Sequence, residues 1–248
     1  MEARHVSLST AHNVRDLGGL PTAKGGRVRY RRAYRADALH RLTPEDRAVM
    51  QALGIRRVFD LRSDAELARD GIGEFAGRIA EHVHVPLVRV SLSPFDPEID
   101  WTTVNLRDRY LEMLEEGGVA IRAIFSALAQ ADPGAVVFHC SGGKDRTGVV
   151  AALILRALGV PDAIIVDDYS LSETNLSAAV RQYRSQLENS GLDAAAISYL
   201  TSSPPERMIY TLAELDRRWG STETYLESIG VPTAMVEGVR RNLLEIDD

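Results

Sequence analysis

The chain has one cysteine among its 248 residues. An intramolecular disulfide framework is therefore ruled out: stability must come from packing, and a reducing compartment is the natural setting for a free thiol. Long apolar runs are also missing. Nothing in the sequence is long enough to span a bilayer, and the opening MEARHVSLSTAHNVRDLGG has no apolar stretch of the length a secretory signal needs. The expectation is a soluble cytoplasmic protein without integral membrane contact, with export by a route that uses no cleaved signal left open. Nor is there an excess of positive charge. With 29 Lys and Arg against 35 Asp and Glu the net charge is -6, which argues against nucleic acid as a partner, since that usually demands a basic face. Repeats, low-complexity tracts and flexible linkers are absent too. At 45% hydrophobic content the chain reads as a single domain, 1–248, with a sheet core over 1–160 and a helical region over 161–248. A monomer is the expected state.

What is present begins with an uneven placement of arginine. GRVRYRRAYR, carrying Arg27 to Arg35, alternates basic with apolar or aromatic residues after a Lys24-Gly25-Gly26 turn. Such a strand fits either a solvated edge kept from aggregating by charge or a surface that attracts an anionic substrate. In LTPEDRAVMQALG, Thr43 as N-cap, Pro44 at the first helical position and Gly54 past the end define a short helix. IRRVFDLRS reads as a buried strand, and Ser63 with Glu66 forms a capping box for a helix closed by Asp70-Gly71. HVHVPL is a third strand, ended by Pro86. After the loop SLSPFDPEID, helical patterns run from Thr102 to Glu116 and from Val119 to Gln130, and Asp132-Pro133-Gly134 turns the chain into the buried strand AVVFH. A helix beginning near Thr147 is apolar all round until Gly159. Beyond Pro161 no further strand is expected, only helices over 161–170, 172–189, 193–200, 205–218, 222–229 and 232–244. The fold class is α/β, a sheet core with a helical C-terminal region folded on it.

The single thiol sits in HCSGGKDRTG, residues 139–148. Strand, glycine loop and buried helix in succession gather backbone N–H groups of residues 141 to 147 about one concave point at a helix N-terminus, where unpaired donors and the helix dipole favour an anion. Two anions would profit: a bound phosphate, and the thiolate of a cysteine, whose ionisation such electropositive settings promote. The five residues between Cys140 and Arg146 let the loop curl so that the guanidinium fork returns across its mouth and matches two phosphate oxygens. Nucleophile and clamp then converge on one phosphorus atom.

Other anion loops fit less well. A nucleotide phosphate loop needs GxxxxGK followed by Ser or Thr, a frame that Gly142, Gly143 and Lys144 lack. A rhodanese loop is commonly shorter and has no returning arginine at this position. One cysteine and scattered histidines, His82 and His84 included, make no recognisable zinc site, so no metal and no cofactor is expected. A merely packed, buried cysteine would not explain the surrounding glycines and cations.

Cys140 to Arg146 matches the Cys-x5-Arg signature of protein tyrosine phosphatases, and HCSGGKDRTG resembles the loop of a bacterial branch of that family with mycobacterial members. NVRDLGGL at 13–20, FDLRS at 59–63, HVPL at 84–87 and DYSLSETN at 168–175 resemble the same branch. The resemblance implies a central four-stranded parallel sheet flanked by helices and a phosphocysteine mechanism. In it Cys140 attacks phosphorus, while Arg146, Ser141, Gly142, Gly143, Lys144 and Thr147 bind phosphate. Thr147 would also hydrogen-bond the departing thiolate. The Trp-Pro-Asp loop of the animal enzymes is missing: Trp101 precedes Thr102 and Trp219 precedes Gly220. Asp145 is the candidate general acid and Asp60 the alternative, unless Asp60 and Arg62 are an orienting pair. Asn13, Arg15, Asp16 and His139 are expected to support the loop. Lys144 would neutralise a second phosphate, extending the substrates from phosphotyrosine proteins toward phosphoserine, phosphothreonine or phosphoinositides. Helices between about 172 and 230 would form a lid. The alternative function is a phosphate-binding module without turnover.

Overall fold

The computed structural model describes residues 4–90, 104–132, 134–189 and 191–245. In chain order the elements are β1 (Arg15–Asp16), β2 (Arg27–Val28), β3 (Ala33–Ala36), α1 (Pro44–Ala52), β4 (Ile55–Asp60), α2 (Asp64–Asp70), β5 (Glu81–His84), α3 (Leu106–Glu116), α4 (Gly118–Leu128) and β6 (Ala135–His139). They continue with α5 (Asp145–Ala157), α6 (Asp162–Asn189), α7 (Ala194–Thr201), α8 (Pro205–Trp219), α9 (Thr222–Ser228), α10 (Thr233–Leu243) and β7 (Leu244–Glu245). The loop SLSPFDPEID, Trp101, Thr102 and Pro133 lie outside the described residues.

The main sheet has the order β1-β3-β6-β4-β5. Strands β3, β6, β4 and β5 are mutually parallel, and the two-residue β1 adds antiparallel to β3 at one edge. The expected four-stranded parallel sheet is thus present with one short antiparallel addition. Strand β6 is central and every one of its residues is buried, because both faces are covered. Val136 and Phe138 point into the larger core with α3, α4, α5 and α8, while Ala135 and Val137 join the opposite core with Tyr34, Met50, Val58 and Phe75. This is the alternation a strand imposes on its side chains. Burial of a Val or Phe side chain contributes about 1.5–3 kcal/mol, so β6 is firmly seated, and the loop that follows it inherits a fixed starting point.

Helix starts follow the sequence signals. Thr43 and Asp46 close a capping box ahead of α1, as do Ser63 and Glu66 ahead of α2. Three features differ from expectation. The basic stretch is not one edge strand: β2 pairs with β7 at the chain's end, and β3 lies inside the sheet between β1 and β6. Its Arg35 is 1% exposed, so neither solvation nor long-range attraction describes it. The two helices expected over 161–189 are one. No Gly or Pro interrupts α6; apart from Leu187 near its end, its buried residues Ile165, Val166, Asp168, Tyr169 and Ser172 stop where the helix leaves the main core, and that change of burial mimics a break. Finally, β7 is a strand beyond Pro161, too short to show any alternation.

Candidate active site

The loop from Cys140 to Arg146 joins β6 to α5. Helix α5 begins at Asp145, two residues earlier than the sequence pattern suggests, with Gly148 N–H closing the first turn onto the Lys144 carbonyl at 2.9 Å. Asp145 and Arg146 are therefore fixed on a buried helix. Gly143 adopts φ +62°, and a Cβ there would lie 2.4 Å from the Ala36 carbonyl oxygen, so strand β3 presses directly on the loop and only glycine fits.

The scaffold takes hold of the loop by its carbonyls. Ala38 N–H donates to Ser141 O at 3.0 Å. Asn13 Nδ2 donates to Gly142 O and Gly143 O, both at 3.0 Å. Arg35 Nη2 reaches Gly143 O at 2.9 Å and Lys144 O at 3.3 Å. Each trans peptide points its N–H opposite to its carbonyl. Carbonyls of 141 to 144 held by the scaffold accordingly turn the N–H groups of 142 to 145 the other way, toward the concave side.

Cys140 is 3% exposed where the loop leaves β6, and Thr147 Oγ1 donates to its Sγ at 3.2 Å. Arg146 forms a fork with Glu66: Nη1 to Oε2 at 2.5 Å and Nη2 to Oε1 at 2.9 Å. Two of its five N–H donors are engaged there and three remain. Burial penalises both charges, but the pair's hydrogen bonds hold the Glu66 carboxyl far below the usual range, and Cys140 and Glu66 raise Arg146 above its own. Glu66 also accepts from Ser141 Oγ and from Ser63 N and Oγ. One carboxylate therefore caps α2 and ties it to the loop. Sequence reasoning found only the cap, since a capping box accounts fully for a glutamate at that spacing.

The two candidate acids occupy different surroundings. Asp60 is fully buried, accepting from Arg62 Nε at 2.8 Å, from Arg62 Nη2 and from His82 Nε2 at 3.3 Å. Burial raises its pKa, yet these bonds hold the carboxyl far below the usual range. Asp145 lines the cavity with its side chain 33% exposed. Its Oδ1 accepts from Tyr110 OH at 2.5 Å. His139 is buried, its ring against the Cys140 carbonyl through Nδ1 at 3.0 Å, and burial pushes its pKa down to about 4. Lys144 is 4% exposed; Nζ donates to Leu200 O and to Ser202 O at 2.9 Å, at the end of α7, and stands 3.6 Å from Asp145 Oδ1.

Of the remaining predicted residues, Arg15 does not touch the loop itself. It donates to Asp168 and to Ser172 Oγ at 3.1 Å, and to Asn13. Asp16 shapes the neighbouring turn by accepting from Gly18 N and Arg31 N. Asp168, buried between Arg4, Arg15 and Arg35, was missed as a site residue although it opens DYSLSETN. Burial works against its charge, but the three guanidiniums hold its carboxyl well below the ordinary range. Its partner Arg35 was misjudged as a surface cation.

A cavity of about 710 Å³ opens over the loop. Ser141, Gly142, Lys144, Asp145 and Arg146 line one side; Leu176, Val180 and Leu187 of α6 and Ile197 and Leu200 of α7 line another. Leu187, Leu192 and Ile197 pack together as a small separate core, and Arg41 Nη1 fastens α6 through Tyr183 OH at 2.6 Å. Among the described residues no group of three or more His, Cys, Asp or Glu could hold a metal ion, and no helix is long and apolar enough to cross a membrane.

The profile of the tyrosine phosphatase family matches residues 6–245. A provisional tyrosine-protein phosphatase of Cupriavidus necator is 29% identical over 245 residues, covering 96% of this chain and 89% of that protein. The triple specificity protein phosphatase PtpB of Mycobacterium tuberculosis is 28% identical over 277 residues, covering 96% and 98%. A tyrosine-protein phosphatase of Nostoc commune is 29% identical over 215 residues, covering 83% and 71%. A solved structure of TpbA from P. aeruginosa overlaps with a TM-score of 0.31 at 17% identity, covering 69% of this chain and 89% of that one, too loosely to bear on the fold.

Proposed function

The chain belongs to the tyrosine phosphatase family and is a cysteine-dependent protein-tyrosine phosphatase; we propose that Cys140 is its nucleophile, Arg146 its phosphate clamp and Asp145 its general acid. Cys140 Sγ attacks phosphorus and the bond to the leaving oxygen breaks as that oxygen takes the proton of Asp145. Water then attacks the phosphocysteine, gives its proton to Asp145, and the S–P bond breaks to release phosphate and thiolate. The loop N–H groups and the three remaining donors of Arg146 hold the equatorial oxygens, where charge develops. Thr147 receives the leaving thiolate through its hydroxyl. The observation that carries this reading is the loop held from behind, with Cys140 at its base beside Thr147 and Arg146 locked by Glu66.

Asp145 is favoured over Asp60 because a general acid needs a path to the substrate, and Asp145 lines the cavity over the loop. Asp60 is ionised and sealed by Arg62, which supports its role as half of an orienting pair with Arg62. His139 is neutral near pH 7 and faces the backbone, which supports an organising role. Asn13 grips the loop, and Arg15 acts through Asn13 and Asp168. Helices α6 and α7 serve as the lid, and Lys144 fastens α7 over the loop with the Nζ that a second phosphate would otherwise need. The likeness to a phosphatase named for triple specificity supports a range beyond phosphotyrosine.

The test is Cys140→Ser in the full chain. Turnover of para-nitrophenyl phosphate should vanish while vanadate still binds, and the wild type should be indifferent to chelators. Substantial turnover by the serine variant would remove the phosphocysteine mechanism. A wild type that binds vanadate and never turns over would make the chain a phosphate-binding module.

A further inference from the structure

Asp145 is held by a line of groups from three other helices. Tyr110 of α3 donates its hydroxyl to Asp145 Oδ1 at 2.5 Å. The same hydroxyl oxygen is 2.7 Å from Tyr169 OH of α6, and Arg207 Nη1 of α8 reaches Tyr169 OH at 3.5 Å. Arg207 carries only donors, and each tyrosine has one hydroxyl proton. With the Tyr110 proton given to Asp145 Oδ1, Tyr169 is the donor to Tyr110, and Arg207 gives to Tyr169. Chains ordered in one direction polarise and strengthen each link.

We propose that Tyr110, backed by Tyr169, is a positioning residue for the general acid, fixing Asp145 Oδ1 as the acceptor so that Oδ2 carries the proton to the leaving group. The inference rests on the reading of Asp145 as the acid and assigns the orientation of that acid to a side chain 35 residues away. The cations near Asp145 lie on the same oxygen: Lys144 Nζ at 3.6 Å and Arg207 Nη1 at 3.9 Å both face Oδ1. The far oxygen is the one left for proton transfer. Tyr110 and Tyr169 are 0% and 1% exposed, and burial first, then the nearby Asp145 charge, keeps both phenols protonated above their ordinary range. Both hydroxyls remain donors throughout the enzyme's working pH. Arg207 also holds the end of α7 through Tyr199 O and Ser202 O, so the group that begins the line also anchors the lid.

The experiment compares Tyr110→Phe with Asp145→Asn on aryl phosphates of progressively poorer leaving groups, ending with an alkyl phosphate. A whole general acid contributes about 10²–10⁴ and matters most for poor leaving groups. Tyr110→Phe should leave the best substrate within about twofold of wild type and lower the alkyl phosphate about tenfold, with vanadate affinity unchanged. In the Asp145→Asn background it should cost nothing further. Equal loss on all substrates with weaker vanadate binding would make Tyr110 a structural residue and overturn the proposal, as would no loss at all. If Asp145→Asn shows no leaving-group dependence, the acid assignment itself fails; dependence in Asp145→Asn but none in Tyr110→Phe overturns the positioning role alone. Should Tyr110→Phe fail to fold, Tyr169→Phe carries the test: a smaller change of slope in the same direction supports the line, and an unchanged slope overturns it.

Discussion

Removing the carboxylate of Glu66 should damage stability and catalysis together. The side chain accepts from both Nη atoms of Arg146, from Ser141 Oγ and from the Ser63 cap. In Glu66→Ala the guanidinium stays buried without its partner, a loss that costs about 3–5 kcal/mol, and the lost cap adds about 1 kcal/mol. For a chain of this size each kcal/mol lowers Tm by about 2–4 °C, so the melting temperature should fall by about 8–24 °C. Activity should fall further than the folded fraction explains. Arg146 would no longer be held in register with the loop, and a misplacement of about 1 Å can cost about 10² in rate. Glu66→Gln serves as the control, because it keeps the side-chain volume and one acceptor oxygen while removing the charge. The assays are thermal melting, kcat/KM on para-nitrophenyl phosphate below the melting range, and vanadate binding. A Tm within about 2 °C of wild type, with kcat/KM within about twofold, would refute the view that the fork organises the clamp. A lowered Tm with full activity per folded molecule would refute its catalytic half.

His139 is buried neutral with a pKa pushed down to about 4, against about 6.5 in an unfolded chain. A depressed pKa means its contribution is whole above about pH 6.5 and lost as pH falls toward about 4, by up to about 3 kcal/mol; the nearby Asp60 softens but does not reverse the sign. Tm measured across that window should drop in the wild type and drop less in His139→Gln, and an identical profile in the variant would remove His139 as the cause. Lys144→Ala should loosen the end of α7 by about 1.5–3 kcal/mol, the worth of bonds to a charged donor, and lower kcat/KM alike on phosphotyrosine peptide and phosphoinositide. A loss confined to phosphoinositides would return Lys144 to the second-phosphate role.

The elements that sequence reasoning recovered are those with a local cause. Thr43-Pro44, Ser63 with Glu66, and the Gly and Pro breaks from 191 to 232 each act within a few residues, and the structure's boundaries fall beside them. The loop was legible for the same reason: cysteine, glycines and arginine are consecutive. What escaped reading depends on contacts across the chain. Arg35 and Asp168 meet over 133 residues, Arg146 and Glu66 over 80, and Asp145 and Tyr110 over 35. A basic residue in an alternating strand gives no sign of whether the sheet will place it at an edge or at the centre. Tyr110 sits in an amphipathic helix where an aromatic is explained by packing alone.

Those distant contacts share one cause. For several N–H groups to converge on an anion, the carbonyls of the same peptides must face the opposite way, into the protein, where only that of Lys144 finds a helical N–H, from Gly148. Unpaired, each would cost about 1–3 kcal/mol. Ala38, Asn13 and Arg35 supply the donors. A buried Arg35 then requires a carboxylate, and Asp168 provides it; Arg15, which steadies Asn13, draws on the same carboxylate. Burying so many charges is not in itself stabilising, since desolvation can exceed the attraction gained. Its product is position: helix α6 is tied through Asp168 to the back of the loop, and its far half lines the cavity in front of it. The stretch DYSLSETN, remote from the cysteine in sequence, is thereby tied to the same loop, with Asp168 behind it and Asn175 bonded to Asn13 Oδ1 at 3.2 Å.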